Sequence, residues 1–387
     1  MTNSEKAFLS GNEALARGAW EAGLKVACAY PGTPSTEILE ALAEYGDVDT
    51  QWSVNEKVAY EVAFGAAMGG VRSLYASKHV GLNVAMDPLM TSAYTGINAG
   101  LVVVVCDDPA MHSSQNEQDT RWAAIYAKLP VLEPSDPAEA REMVKIAFDI
   151  SEQFDTPVML RLTTRISHSK ETMQLAERVE VAPKPFEADW TKYVMVPGNA
   201  RKRHVILEQR LGLLRDYAES SPLNRVEKGT GKRGFLTSNV SYLYVKESFP
   251  DAPIMKLGIA HPLCFDKIRT FVESLDEVVV VEELDPFFET LLHAEGIPVR
   301  AKHPSFRLGE LKPELIPALA EGKPKDEPQR AMRPPMLCKG CPHRLAFKAL
   351  NELGAVVSGD IGCYTLGALP PFSAVHSCLC MGAGVTV

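Results

Sequence analysis

Leu101-Val-Val-Val-Val-Cys106 runs straight into Asp107-Asp-Pro-Ala-Met-His-Ser-Ser-Gln-Asn-Glu-Gln-Asp-Thr-Arg121. The first six residues carry no polar alternation, which suits a strand buried on both faces in the middle of a parallel sheet. The fifteen that follow form a long polar loop leaving that strand, and ligands of open α/β sheets bind beyond the carboxyl ends of their strands. Working outward, similar β-rich runs recur at Leu24–Ala29, Val48–Val54, Arg72–Ser77, Val131–Glu133 and Pro157–Leu162. Amphipathic helical patterns at Ser35–Tyr45, Lys57–Met68 and Pro137–Gln153 separate them. This alternation predicts an α/β fold whose mostly parallel sheet is covered by helices. The loops to watch are therefore Tyr30–Ser35, Lys78–Gly81 and Asp107–Arg121.

Past residue 165 the pattern changes. Residues 166–200 are polar and Pro-containing and read as a connecting stretch, with Arg201-Lys-Arg-His204 as a solvated helix start. A second α/β unit is expected from strand candidates at Gly234–Thr237, Ile254–Leu257, Glu277–Glu282 and Ile297–Arg300. Glu321-Gly-Lys-Pro-Lys-Asp-Glu-Pro328 and Arg333-Pro-Pro335 read as a charged, Pro-rich linker. A third unit follows, with a strand expected without a partner near Ala355–Ser358 and a small-residue helix beginning around Cys378-Leu-Cys-Met-Gly-Ala-Gly384. Its last residues, Gly-Ala-Gly-Val-Thr-Val, lack a cap or polar tail, so the third domain is expected to be incomplete.

Composition narrows the function classes. Of 387 residues, 46% are hydrophobic and 23% charged, close to globular averages. A net charge of −9 without a basic stripe argues against nucleic-acid binding. No apolar run approaches the roughly 20 residues of a membrane span. Eight cysteines without an export signal point to reduced thiols and a cytoplasmic location.

Three constellations carry candidate chemistry. In Asn55-Glu-Lys-Val-Ala59 and onward, Val58, Ala59, Val62, Ala63, Ala66 and Ala67 share one helical face. Glu56 lies along that face at the helix N-terminus, while Glu61 points away. An inward carboxylate needs a partner, but an acid favoured by the helix dipole is an equally good reading of this stretch alone. In the loop after Cys106, Arg121 has the planar fork that clamps carboxylates, although a plain polar surface loop is the better reading without other support. Among the cysteines, Cys338-x-x-Cys341 with Cys363, Cys378 and Cys380 lacks a second knuckle of zinc geometry and the ferredoxin spacing. Glycine-flanked turns around a cofactor suit them better than a metal centre, and no metal-ligating residues are assigned.

Several segments in order carry a resemblance: Tyr-Pro-Gly-Thr-Pro-Ser-Thr-Glu (30–37), Asn-Glu-Lys-Val-Ala (55–59), Lys-His-Val-Gly-Leu-Asn (78–83), Ser-Ser-Gln-Asn-Glu-Gln-Asp-Thr-Arg (113–121), Leu-Glu-Pro-Ser-Asp-Pro (132–137), Cys-x-Gly-Cys-Pro-His-Arg (338–344) and Gly-Asp-Ile-Gly-Cys-Tyr (359–364). Over nearly its whole length the chain resembles the α subunits of the indolepyruvate:ferredoxin oxidoreductase family, in the thiamine diphosphate-dependent 2-oxoacid:ferredoxin oxidoreductase superfamily. The resemblance implies a pyrimidine-binding domain (1–180), a transketolase C-terminal-like domain (181–320), a linker (321–335) and the start of a diphosphate-binding domain (336–387).

It also implies oxidative decarboxylation of aryl 2-oxoacids such as indolepyruvate to aryl-acetyl-CoA. Ferredoxin would accept the electrons, coenzyme A the acyl group, and a β subunit would complete the enzyme. Glu56 matches the glutamate that holds the aminopyrimidine ring. Thr33, His79 and Arg121 would face the substrate, and Gly340, Cys341, His343, Asp360, Gly362 and Cys363 the cofactor. The Mg²⁺–diphosphate motif and the 4Fe–4S clusters are expected beyond residue 387. One departure is Lys339, where the family usually has Pro. A non-catalytic partner-binding fragment, or a related oxidoreductase with another 2-oxoacid substrate, remain the alternatives.

Overall fold

The structure, a computed structural model, describes residues 6–326, 335–382 and 384. They divide into two units, residues 1–113 with 117–325, and residues 114–116 with 326–387. The strands of the first unit are Lys6–Ser10 (β1), Val26–Ala29 (β2), Asp49–Trp52 (β3), Ser73–Lys78 (β4), Leu101–Asp107 (β5), Val131–Leu132 (β6), Val158–Thr163 (β7), Lys170–Gln174 (β8), Asn224–Glu227 (β9), Arg233–Thr237 (β10), Ile254–Leu257 (β11), Ile259–His261 (β12) and Glu277–Val281 (β13). The helices that matter for the site are Gly11–Glu21 (α1), Thr36–Ala43 (α2), Glu56–Met68 (α3), His79–Val84 (α4), Met86–Thr95 (α5), Arg121–Ala127 (α6) and Pro137–Phe154 (α7).

The main sheet has the order β12-β6-β7-β5-β4-β2-β3. Its central strands β4, β5 and β7 are buried at every residue, as the unbroken apolar run of β5 requires. All its pairings are parallel except β12 with β6. A second sheet of order β13-β10-β11-β9 is parallel except at β9. Parallel strands need crossovers over the faces, and the helices supply them. No helix among the described residues is long and apolar enough to cross a membrane.

Several expectations are corrected. Residues 166–200 do more than connect: they contain β8, which pairs antiparallel with β1, and the start of a helix over Pro197–Ser220. The β1–β8 ribbon is largely exposed, so neither strand shows an apolar pattern. Arg203, in the supposed solvated start, is buried and donates to the Tyr94 and Thr95 carbonyls. Ile297–Arg300 forms no strand, only a bridge from Arg300 to Val279; Pro298 lacks the N–H a ladder needs. Lys78–Gly81 is not a loop but the last residue of β4 and the first turn of α4. Finally, β12 belongs by sequence to the middle segment yet forms the edge of the main sheet, which ties residues 181–320 to the first domain within one unit.

In the second unit Ser358–Gly359 (β14) pairs in parallel with Ser377–Cys378 (β15), so the strand expected to be alone has a partner. Cys378 is therefore in a strand, and Cys380 lies in the bend just after it. Residues 327–334 of the supposed linker, together with 383 and 385–387, lie outside the described residues.

Candidate functional site

Asn55 caps α3 by accepting from the Val58 N–H at 2.9 Å, which places Glu56 in the first turn. The helix buries Ala59, Tyr60, Ala63 and Ala67, and Glu56 with them at 4% exposure. Glu61 lies outside, paired with Lys57. Burial raises the Glu56 carboxyl above the usual range, opposed by its own backbone N–H; among the described residues no cationic side chain acts on it. A carboxylate left this way suits a neutral hydrogen-bonding ligand better than a salt bridge. The wall it faces is Gly81 of α4. A Cβ there would sit 2.6 Å from Glu56 Oε1 and 2.8 Å from its Cγ, so only glycine admits the carboxylate at this position.

Thr33 belongs to a second part of the same unit. The turn after β2 is tied down by Ser35 N–H to the Gly32 carbonyl (2.8 Å), Gly32 N–H to Thr36 Oγ1 (2.9 Å) and Asn12 Nδ2 to the Pro34 carbonyl (2.7 Å). Thr33 lines a cleft of about 460 Å³ with His112, Ser113, Thr164, Arg165, His168 and Ser169. Lys78 was not singled out as a site residue, yet its stem lies against Gly32 and its Nζ donates to the Ser113 carbonyl at 3.1 Å. Burial lowers its pKa, and Asp108 opposes that. The end of β4 thus reaches both parts: Lys78 at the Thr33 turn and, three residues on, Gly81 at Glu56.

Arg121 does something else. It is 1% exposed, and its guanidinium donates to Asp119 Oδ1 (2.8 Å), Glu282 Oε2 (2.9 Å) and the Glu283 carbonyl (3.2 Å), while Phe287 and Phe288 cover its face. Its neighbour Arg161 donates to Asp107 (2.7 Å) and Glu133. Burial pushes Asp119 up, but Arg121 and Arg161 outweigh it and hold the carboxyl below the usual range. Glu283, buried and bonded by the Leu311 N–H, is pushed up to about 7. The fork expected to clamp a substrate is already filled, and its work is to join the carboxyl ends of the two sheets. His79 is also fully buried, in the first turn of α4.

The remaining candidates lie together in the second unit. Gly340 and Gly362 adopt φ of +79° and +111°, conformations that favour glycine, and these turns present Cys341–His343 and Asp360–Cys363. Cys341 Sγ is 3.2 Å from His343 Nδ1, and the His343 ring stands edge-on to Tyr364 at 4.7 Å. The Asp360 carboxylate accepts from the Ile361 and Gly382 N–H groups, both at 2.7 Å. All eight cysteines are free. Among the described residues no three His, Cys, Asp or Glu side chains gather as metal ligands would.

Residues 17–221 match the model of the pyruvate flavodoxin/ferredoxin oxidoreductase thiamine diphosphate-binding family, and the chain belongs to it. More narrowly, the chain is 42% identical to the indolepyruvate oxidoreductase subunit IorA of Archaeoglobus fulgidus over 99% of its length, and 40% identical over 99% to that of Thermococcus kodakarensis. It spans 67% and 65% of those two proteins. A solved 2-oxoglutarate:ferredoxin oxidoreductase of Magnetococcus marinus shares the fold, with a TM-score of 0.69, 17% identity, and coverage of 82% of this chain and 65% of that one.

Proposed function

We propose that this chain is the thiamine diphosphate-binding part of an α subunit that oxidatively decarboxylates aryl 2-oxoacids, indolepyruvate being the reference substrate. The observation that carries the reading is Glu56, a buried carboxylate without a cationic partner among the described residues, set against a glycine at a helix N-terminus. These residues fit the cofactor: a carboxylate in such a place accepts a hydrogen bond from an aminopyrimidine and holds a proton at its ring nitrogen. The cofactor supplies the carbanion chemistry of decarboxylation. The chain's own residues bind, orient and keep water from it.

In this reading Glu56 orients the pyrimidine, and Gly81 leaves room for its carboxylate. The Thr33 cleft, with Lys78 behind it, takes the acid end of the substrate. Gly340, Cys341, His343, Asp360, Gly362 and Cys363 supply backbone and small side chains to the diphosphate side. Mg²⁺, coenzyme A, a β subunit, ferredoxin as electron acceptor and 4Fe–4S clusters outside these 387 residues complete the proposal, as does a cytoplasmic location. Similarity over 99% of the chain to two indolepyruvate oxidoreductase subunits supports this choice.

Glu56→Gln in the complete enzyme tests it. Turnover should fall by at least ~100-fold, the lower end for losing a positioned acid–base group, with the fold intact. Near wild-type turnover would remove Glu56 from the mechanism. A panel of indolepyruvate, phenylpyruvate and 2-oxoglutarate tests the substrate class separately.

A further inference from the structure

The helical turn Thr164–His168 follows β7 and brings Arg165 and His168 to the wall of the Thr33 cleft, where His112 of the long loop also stands. Three basic side chains around one cleft would suit a ligand with several negative charges. Each of the three, however, already faces a carboxylate of this chain. Both Glu310 oxygens accept from one Arg165 nitrogen, at 2.7 and 2.8 Å, and His112 Nε2 lies 3.5 Å from Glu310 Oε2. His168 Nε2 lies 3.9 Å from Glu37 Oε1 of α2.

Glu310 is held more firmly than its partner. Its side chain is 12% exposed, whereas that of Arg165 is 51% exposed. The backbone around it is tied on both sides. Gly309 turns at a φ of +69° and donates its N–H to Glu117 Oε1 at 3.1 Å; Lys325 Nζ donates to the Leu308 carbonyl at 3.1 Å; the Leu311 N–H donates to Glu283 Oε1 at 2.9 Å. Glu117 Oε1 also accepts from the Ala110 N–H, so the segment that carries Glu310 and the loop that carries His112 share one anchor. As a stabilising contact, an ion pair to a half-exposed arginine is worth little. As a fixed negative charge on two side chains that line a cleft, it decides which ligands the cleft admits.

We propose that Glu310 is a specificity-determining residue: a resident carboxylate that engages Arg165 and His112 and turns away 2-oxoacids bearing a second carboxylate. The cleft is thereby left to 2-oxoacids with an uncharged side chain. This rests on the reading of the Thr33 cleft as the substrate site and deepens it. Selection of this kind works by repulsion, since a distal carboxylate meets Glu310 where it would otherwise meet an unengaged arginine. An aromatic ring carries no charge and meets no such penalty.

The test is kcat/KM of the complete enzyme for 2-oxoglutarate relative to phenylpyruvate. Glu310→Gln removes the charge at nearly the same shape and should raise that ratio at least ~10-fold, a conservative share of what like-charge contact costs. Glu310→Asp keeps the charge and should hold the ratio near wild type. Adding Arg165→Gln to Glu310→Gln should take the gain away, because the released arginine is what receives the second carboxylate. Glutarate, a dicarboxylate without the reactive 2-oxo group, should bind Glu310→Gln at least ~10-fold more tightly than wild type in calorimetry. Glu310→Ala should give the same two rises and stands in where circular dichroism shows that the Gln variant has not folded. An unmoved ratio with unmoved glutarate affinity, an equal rise in Glu310→Asp, or a gain that survives loss of Arg165 would overturn the proposal. Wild-type enzyme that fails to oxidise phenylpyruvate would instead sink the substrate reading, and glutarate binding would still report on Glu310.

Discussion

Gly81→Ala separates stability from activity, and the structure sets the size of both effects. The new methyl carbon would lie 2.6 Å from Glu56 Oε1, whereas ordinary contact begins at 3.4 Å, so the carboxylate has to recede by about 0.8 Å. Oε1 is the end of a flexible side chain, but Glu56 Cγ, 2.8 Å from the same carbon, is part of its buried stem, so relief has a cost. Gly81 also lies inside α4, where alanine is favoured over glycine by about 1 kcal/mol. The two effects nearly cancel, and the melting temperature should stay within a few degrees of wild type. Function has no such relief: a misplacement of about 1 Å in a catalytic group costs on the order of 100-fold. Steady-state 2-oxoacid oxidation by the complete enzyme, with calorimetric thiamine diphosphate titration, reads the loss. If Gly81→Ala kept wild-type turnover and affinity with unchanged stability, the position of the Glu56 carboxylate would not matter and the reasoning would fail.

Three further outcomes are expected. Because burial raises the Glu56 pKa, the stability of its protonated form is complete below the unfolded value of about 4.3 and is lost as pH rises through the folded one. Glu56→Gln should therefore melt higher than wild type at neutral pH and equal to it near pH 3; parallel curves would contradict this. Glu283 follows the same sign with a defined window: stability should decline from about pH 4.5 to about 7, and Glu283→Gln, always neutral, should flatten that slope in denaturant midpoints. Arg121→Lys keeps a charge but loses the fork shared by Asp119, Glu282 and the Glu283 carbonyl. It should cost on the order of 3 kcal/mol in urea unfolding, and unchanged unfolding together with a raised KM would restore the substrate clamp.

The inward place of Glu56 was legible because a helix repeats every 3.6 residues, and Ala59, Ala63 and Ala67 mark the buried face without reference to anything outside α3. Arg121 was misread because its chemistry is the same in a clamp and in a buried ion network. What separates the two is Glu282, 161 residues away. Lys78 escaped for a related reason: a lysine at a strand end is ordinarily solvated, and its burial here involves residues far along the chain, the turn at Gly32 against its stem and the Ser113 carbonyl at its head.

Local pattern alone therefore determined the α/β class, the unbroken central strand Leu101–Cys106 and the helix that carries Glu56, since strand and helix periods are properties of consecutive residues. Tertiary structure alone decided that β8 returns to β1, that β12 edges the main sheet, and that Arg121 faces inward. It also decided that Gly81 is the wall against which the Glu56 carboxylate rests. Each of these is a pairing between residues far apart in the chain, fixed by which surfaces exclude water together, and no run of neighbouring residues records it.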